Sequence, residues 1–225
     1  VDFTETDQNF KVKLFGPFNI TYPMKMYHSK HGPVLKDDNK AYALRFVGMN
    51  DVNHSTAWLK MNKSKNIDEW LDALRMEQLA SLNLVYADKD DNIFFVHNAK
   101  SPVRDPNYNW KQVVPGNKSD LIWKDFHPFK SLPQILNPSS GYIFSTNQNP
   151  FFVTAKEDNL SLSNFNPTMG FQTRTTNRAY RAYELLDADK SISFSELDKY
   201  KHDNKFSYNS RPVSYTHLRA HETVE

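Results

Sequence analysis

An alternation of apolar and polar residues near the start of the chain is the feature that most limits how it can fold. Residues 10–15 alternate between apolar and basic side chains, and residues 19–27 repeat an alternating pattern. A period of two is typical of half-buried strands. A third strand is predicted over residues 41–47, after a turn at residues 37–39. We therefore expect the chain to open with antiparallel strands.

Helical periodicity follows these strands. Asn66 and Glu69 have the spacing of a capping box, in which the first residue caps a helix and the fourth returns a hydrogen bond. Apolar residues then recur at spacings of three, four and seven, which predicts an amphipathic helix reaching about Leu79. A shorter helix is predicted over residues 55–61.

A hairpin and a long irregular region occupy the middle of the chain. Strands predicted over residues 81–87 and 92–98 enclose turn-forming residues, which indicates a β-hairpin. Residues 102–150 are rich in Pro, Asn, Gly and aromatic side chains and show no regular period. A stretch of this length is usually either functional or packed over a scaffold.

A second helical zone lies near the other end of the chain. Apolar residues recur at helical spacing from about Thr175. Ser193 and Glu196 form another capping box, which predicts a short helix to about Tyr200. Because strands come first and helices come later, the pattern predicts an α+β fold.

Composition excludes several classes of function. The 225 residues carry a net charge of +2, and basic residues alternate with acidic ones instead of forming the basic stripe of a nucleic-acid-binding protein. The sequence has no cysteine, which removes disulfides, thiolate catalysis and cysteine zinc sites. No apolar run approaches the ~20 residues that a membrane-spanning helix needs. Neither nucleic acid nor membrane is a predicted partner.

Residue types alone suggest few reaction centres. A Ser-His-Asp set could include His97 and Asp88, but no Gly-x-Ser-x-Gly turn marks a nucleophilic serine. The run from Asp187 to Ser191 begins like a calcium loop, yet Ile192 stands where that loop requires glycine. The residues by themselves therefore predict no metal site and assign no reaction.

Several segments in a fixed order carry more information than these isolated motifs. They are His31-Gly32-Pro33-Val34, Asn83-Leu84-Val85-Tyr86-Ala87-Asp88, Pro102-Val103-Arg104, Asn147-Gln148-Asn149-Pro150-Phe151 and the stretch from Arg174 to Leu186. Together they resemble the penicillin acylase family of N-terminal-nucleophile hydrolases, and are closest to its acyl-homoserine-lactone acylase-like members. The resemblance covers roughly residues 27–186.

The resemblance implies both a fold and a reaction. The fold would be a partial αββα arrangement of antiparallel sheet and helices, in an internal piece of the family's large (β) subunit. The reaction would remove the acyl side chain from an N-acyl substrate such as an acyl-homoserine lactone or a penicillin, through an acyl-enzyme on an N-terminal Ser, Thr or Cys. The chain begins with Val1 and lacks that nucleophile, so by itself it is expected to be inactive. A non-catalytic β-rich binding or surface module is the alternative.

Two residues match the family's catalytic positions. Asn83 matches the oxyanion-hole asparagine, whose neutral amide offers an N–H to the developing negative charge. Strand alternation places Asn83 opposite Leu82 and Tyr86, so Asn83 faces a cleft if those two residues face the core. Arg104 matches an arginine near the amino group of the nucleophile, and a surface ion pair with Asp105 is its structural alternative.

The resemblance also implies partners and a location. The partners are a small-molecule N-acyl substrate, the small (α) subunit of the same precursor and the missing part of the large subunit. No cofactor is required for catalysis. Family members bind a structural calcium, but no residue of this sequence can be matched to its ligands. The cellular location that the resemblance implies for the protein is the periplasm.

The last residues are a separate case. Residues 213–225 resemble one reading frame of a sequencing-library adapter and continue no preceding pattern. We therefore expect residues 1–212 to be the fragment of an acylase large-subunit domain, and residues 213–225 to be a non-native tail.

Overall fold

Two antiparallel sheets and four helices organise the computed structural model, which describes residues 3–79, 81–98, 100–211 and 213. The first sheet contains, in spatial order, β1 (Thr4–Lys13), β2 (Asn19–Ser29), β3 (Gly32–Lys36) and β4 (Ala41–Ala43). The second contains β5 (Leu82–Ala87), β6 (Ile93–Asn98) and β7 (Gln134–Leu136). The helices are α1 (His54–Lys63), α2 (Ile67–Leu74), α3 (Asn177–Ala188) and α4 (Phe194–Lys201). The predicted α+β class is confirmed, and none of the described helices is long and apolar enough to cross a membrane.

The first sheet leaves an apolar face uncovered. Phe10 on β1 pairs with Tyr22 on β2, and Val12 pairs with Ile20, so these four side chains share one face. All four are at least 43% exposed. This set, Phe10, Val12, Ile20 and Tyr22, is called the hairpin face below.

The second sheet is covered on both faces. One face packs against α1 and α2 in a core whose buried members include Trp70, Leu74, Leu84, Phe94 and Val96. The opposite face packs against the long loop region through Phe95, Ile135 and Val153. This sheet therefore lies between a helical layer and a loop layer.

The β5–β6 hairpin is closed by its own turn residues. The Asp88 carboxylate accepts hydrogen bonds from the backbone N–H groups of Asp90 (2.9 Å) and Asn92 (3.0 Å). Carboxylates that bond the backbone two residues on are typical of such turns. The predicted hairpin is confirmed, and its turn sets the register that places Asn83 opposite His97.

The capping residues form the helix starts that the sequence predicts. The Asn66 side chain accepts from the backbone N–H of Glu69 at 2.9 Å, but the Glu69 carboxylate accepts from the backbone N–H of Lys65 (2.9 Å) instead of that of Asn66, so the predicted capping box is only half formed. Ser193 with Glu196 makes a complete capping box. The prediction that the helix beginning after Asn66 reaches Leu79 was wrong. It ends at Leu74, because the chain turns there and Glu77 adopts a left-handed backbone with φ of 53°.

Strand lengths were the least predictable feature. β1 ends at Lys13 because residues 14–18 form the hairpin turn, and β4 is shorter than the predicted 41–47. β7 lies within the region expected to be irregular, since three residues are too short to show a period. Apart from β7, the described residues of that region form two short 3₁₀ helices, at Ser119–Leu121 and Phe129–Ser131, and an isolated β-bridge between Pro102 and Phe126. The suspected tail lies outside the described residues, except for Val213.

Candidate active site

The candidate site begins at a cross-strand pair in the second sheet. Asn83 on β5 lies opposite His97 on β6. His97 Nδ1 lies 2.6 Å from Asn83 Oδ1. Both side chains lie on the sheet face that carries Phe95, which is the face turned toward the loop layer. The hairpin register thus brings an amide and an imidazole together.

Two partners orient the Asn83 amide. Its Nδ2 donates to the backbone carbonyl of Gln148 at 2.9 Å. Because a carbonyl oxygen can only accept, the other end of the amide, Oδ1, faces His97, and Nδ1 of His97 must carry the proton that it donates. Gln148 uses one of the two Nδ2 hydrogens, and the second has no acceptor among the described residues.

His97 is held as a neutral ring. Burial lowers the pKa of His97 from its ordinary value of 6.5 to about 4. The ring meets Phe171 edge to face at 5.5 Å between centroids, and the His97 backbone N–H donates to the Pro133 carbonyl at 3.0 Å. A neutral imidazole with its proton on Nδ1 has a bare lone pair on Nε2.

The Gln148 carbonyl is fixed in place by the side chain of the same residue. Gln148 is 4% exposed, and its Nε2 donates to the carbonyls of Phe144 (3.2 Å) and Phe152 (2.8 Å). Its Oε1 accepts from the Thr146 backbone N–H, while Asn147 takes a left-handed backbone with φ of 64°. These bonds tie the loop into a closed turn and hold the acceptor of Asn83 rigid.

A cavity of about 660 Å³ adjoins this pair. Both partners of Asn83 line it, together with Arg104, Arg174 and Phe171, but Asn83 itself does not. None of the described residues that line it is acidic. The two guanidinium groups therefore give the cavity a positive potential.

Arg104 is held between two indole rings. Its Cζ lies 5.7 Å from the centre of Trp110 and 5.1 Å from that of Trp123. Nη1 donates to the Thr168 carbonyl at 3.2 Å, and burial lowers the pKa of the guanidinium. A side chain on Gly170 would place its Cβ 2.7 Å from Nη1, so the glycine makes room for the arginine.

The alternative ion pair between Arg104 and Asp105 does not form. The Asp105 carboxylate instead accepts from the backbone and side-chain amides of Asn107, both at 2.9 Å. Arg104 and the two partners of Asn83 line one cavity, but Asn83 itself does not, and its hydrogen bonds go to Gln148 and His97. The predicted pairing of Asn83 with Arg104 therefore stays a prediction. The catalytic roles of both residues stay predictions.

Sequence reasoning missed His97 as the partner of Asn83. The Ser-His-Asp hypothesis instead placed His97 beside Asp88, which lies five residues from Asn83, or roughly 17 Å along the strand. The turn at residues 88–92 was the signal that could have identified the pair, because a hairpin's turn fixes which residues lie opposite each other.

The acidic run near the end of α3 does not form a metal site. Asp187 accepts a hydrogen bond from the Tyr142 hydroxyl (3.1 Å), and Asp189 accepts one from the Tyr200 hydroxyl (2.6 Å). Among the described residues, no group of three or more His, Asp and Glu side chains could hold a metal ion.

Comparisons with known proteins agree on one family. The family model described as penicillin amidase matches residues 1–223. Penicillin G acylase from Escherichia coli is 35% identical over 129 residues, which make up 56% of this chain and 15% of that protein. The solved structure of a thermostable penicillin G acylase from Alcaligenes faecalis matches with a TM-score of 0.65 and 22% identity, over 88% of this chain and 34% of its own. That likeness confirms the predicted N-terminal-nucleophile hydrolase fold.

Proposed function

The chain belongs to the penicillin amidase family, and we propose that the complete protein containing it hydrolyses the linear amide bond of an N-acyl small molecule. The predicted family is thereby confirmed, whereas the activity is our proposal, because the chain spans only 15% of its curated relative. One observation carries the proposal: the Asn83 amide is fixed at both ends and keeps one N–H without a partner among the described residues. A preorganised neutral donor suits the oxyanion of an acyl-transfer intermediate, since no group has to reorient as the charge develops.

The proposed reaction takes its nucleophile from outside this chain. An N-terminal Ser, Thr or Cys attacks the amide carbonyl carbon, and its own α-amino group accepts the proton. The carbonyl electrons move onto the oxygen, which accepts a hydrogen bond from the Asn83 N–H. As this intermediate collapses, the C–N bond breaks and the α-ammonium group returns its proton to the leaving nitrogen, which departs as the amine. Water then hydrolyses the acyl-enzyme to the carboxylic acid and the free nucleophile. The positive charge of Arg104 would keep the α-amino group neutral, and therefore basic, near pH 7.

Two classes of substrate fit this reaction, and the cavity favours one of them. Acyl-homoserine lactones release a neutral lactone amine, whereas penicillins release an amine that carries a carboxylate. Arg104 and Arg174 line a cavity with no acidic lining among the described residues, which favours the carboxylate-bearing class. Phe171 lines the cavity and packs against Phe151 (5.6 Å) and Phe165 (5.8 Å) behind it, and its ring suits an apolar acyl group.

We propose that the hairpin face packs against other parts of the same protein. Four large apolar side chains lie together and exposed on that face, which is unusual for a surface without a partner. The matched solved chain is long enough to supply a covering layer, since this chain covers 34% of it. The small subunit and the rest of the large subunit are the proposed partners, and family habit favours a periplasmic location for the assembly.

The test is an amide-hydrolysis assay on the complete protein. A panel of chromogenic N-acyl amides, with and without a carboxylate on the amine side, would be compared for wild type, Asn83→Ala and Val85→Ala. Val85 is a matched control because it lies on the same strand face and is 47% exposed. We expect Asn83→Ala to lower kcat by ~10²–10³ with little change in KM, and Val85→Ala to behave as wild type. Full activity of Asn83→Ala, or a wild type without turnover, would overturn the proposal.

A further inference from the structure

The imidazole of His97 has no role in the reaction proposed above, although it makes the closest contact to Asn83. The distance from Nδ1 to Asn83 Oδ1 is 2.6 Å, against 2.9 Å from Asn83 Nδ2 to the Gln148 carbonyl. We infer that His97 is a positioning residue, which donates its Nδ1–H to the Asn83 amide oxygen and so fixes the direction of the remaining amide N–H. This inference rests on the proposed function and extends it to a residue outside the matched family positions.

Two anchors at opposite ends of one amide select a single orientation. The other orientation of the Asn83 amide is reached by turning it over about its last side-chain bond. In the turned-over state, Oδ1 would face the Gln148 carbonyl, where two acceptors repel, and Nδ2 would face the Nδ1–H of His97, where two donors meet. His97 and Gln148 together therefore exclude the alternative orientation. Donation to the amide oxygen also polarises the amide and strengthens its free N–H as a donor.

The surroundings of His97 hold the ring in one position. It lies edge-on to Phe171, and its own backbone N–H is bonded to the Pro133 carbonyl. The cavity beside it carries the positive charges of Arg104 and Arg174 and no acidic lining among the described residues. Burial of the ring disfavours a second proton. At neutral pH the ring thus offers one N–H, and its place is Nδ1.

A direct proton-transfer role fits His97 less well. Burial lowers its pKa to about 4, so Nε2 is a weak base at neutral pH. Among the described residues, no carboxylate bonds the ring to raise that basicity, because Nδ1 is bonded to an amide oxygen. Positioning and proton transfer make different predictions for the same set of variants.

Three substitutions separate these roles in the complete protein. His97→Phe keeps the ring and removes the donor. His97→Asn places an amide nitrogen near the position of Nδ1, whereas His97→Gln places one near Nε2. We expect His97→Phe and His97→Gln to lower kcat by about tenfold, the upper range for one neutral hydrogen bond, with KM unchanged. His97→Asn should recover most of this loss, and His97→Phe should add nothing in an Asn83→Ala background.

A spectroscopic readout keeps this inference separate from the proposed function. NMR of the wild-type protein with isotope-labelled histidine should show His97 neutral and protonated at Nδ1 at pH 7. The side-chain amide signal of Asn83 should shift in His97→Phe and return toward wild type in His97→Asn.

Each result then has one meaning. Full turnover by His97→Phe, or a ring protonated at Nε2, would overturn the positioning role. Equal inactivity of the Asn and Gln variants, with loss of an inflection in the pH profile of kcat, would replace it with direct proton transfer. If the wild-type protein shows the predicted tautomer but no turnover, the proposed function is wrong, and His97 then has no role in catalysis. If His97→Phe fails to fold, the Asn and Gln pair still decides the question.

Discussion

The two sheets are built by the same pairing rules and have opposite surroundings. In the second sheet, Phe95 is fully buried on the face that packs against the loop layer. The other face of that sheet is covered by α1 and α2. In the first sheet, every residue of β1 is exposed, including Phe10 at 43%. The candidate site lies on the sheet that this chain covers by itself. This chain therefore supplies the packing layers on both sides of the sheet that carries Asn83, but no layer that covers the hairpin face among the described residues.

Burial explains why this difference matters for stability. Full burial of a large apolar side chain contributes about 1.5–3 kcal/mol relative to exposure. The second sheet gains this contribution on two faces, whereas the hairpin face gains little of it. β1 is also an edge strand, which leaves backbone groups free to pair with another chain. Stability should therefore be concentrated in the second sheet.

The largest expected effect compares one phenylalanine from each sheet. Phe95→Ala should lower the free energy of unfolding of this chain by about 3–5 kcal/mol, because it empties a fully buried site. Phe10→Ala should cost less than about 1 kcal/mol, because Phe10 is 43% exposed. Urea unfolding followed by circular dichroism measures both. Equal losses for the two variants would break the contrast between the sheets.

Acidification should weaken the second sheet through His97. Because burial lowers the pKa of His97 from 6.5 to about 4, the unfolded chain binds a proton in this range that the folded chain does not. The stabilisation from the neutral ring is therefore complete above pH 6.5, falls as the pH drops toward 4 and levels off below it. The loss should reach about 3 kcal/mol. Unfolding free energies of wild type and His97→Phe across this range measure it, and parallel curves for the two proteins would contradict the prediction.

Alanine substitutions at two glycines in the loop layer distinguish the effect of backbone strain from the effect of displacing Arg104. Gly170 and Gly141 have φ of 74° and 75°, so alanine at either should cost about 1–2 kcal/mol of stability. Only at Gly170 would the new Cβ meet Arg104, at 2.7 Å, while nothing lies within 4 Å at Gly141. We expect Gly170→Ala alone to lower kcat/KM in the complete protein. Thermal unfolding and the hydrolysis assay together test this, and equal kinetics for the two variants would show that Arg104 is not disturbed.

The smallest effect concerns the helix layer behind the second sheet. The Asn66 side chain caps α2, whereas Asn53 precedes α1 without a side-chain cap bond. Asn66→Ala should therefore cost about 1 kcal/mol, and Asn53→Ala only a few tenths. Chemical denaturation of the two variants provides the measurement. A larger loss for Asn53→Ala would mean that capping does not set the stability of this layer.

Local features of the fold could be predicted from the sequence because their causes are local. The β5–β6 hairpin follows from the turn residues around Asp88, and the start of α2 follows from Asn66. The early end of α2 could not be predicted, because the left-handed backbone at Glu77 depends on how the chain turns toward β5. The sequence also could not show which sheet would be covered on both faces. Alternation indicates that a strand has two different faces, but it does not indicate what packs against each face.

The candidate site was predictable only in part for the same reason. Asn83 and Arg104 came from a family resemblance, and the pairing of Asn83 with His97 was implicit in the hairpin register. The bond from Asn83 to the Gln148 carbonyl joins positions 65 residues apart in the sequence. No local pattern encodes such a contact, because it depends on how the loop packs across the sheet.

We propose that Asn83 stabilises charge that exists only in the tetrahedral intermediate. The most direct test is the inhibition constant of a reversible boronic acid that mimics this intermediate, measured on the complete wild-type protein and on Asn83→Ala. The affinity of the carboxylic acid product is measured alongside as the ground-state reference. We predict that Asn83→Ala weakens the boronic acid by ~10²–10³ and leaves the product affinity nearly unchanged. An equal loss for both ligands, or no loss for either, would contradict the claim.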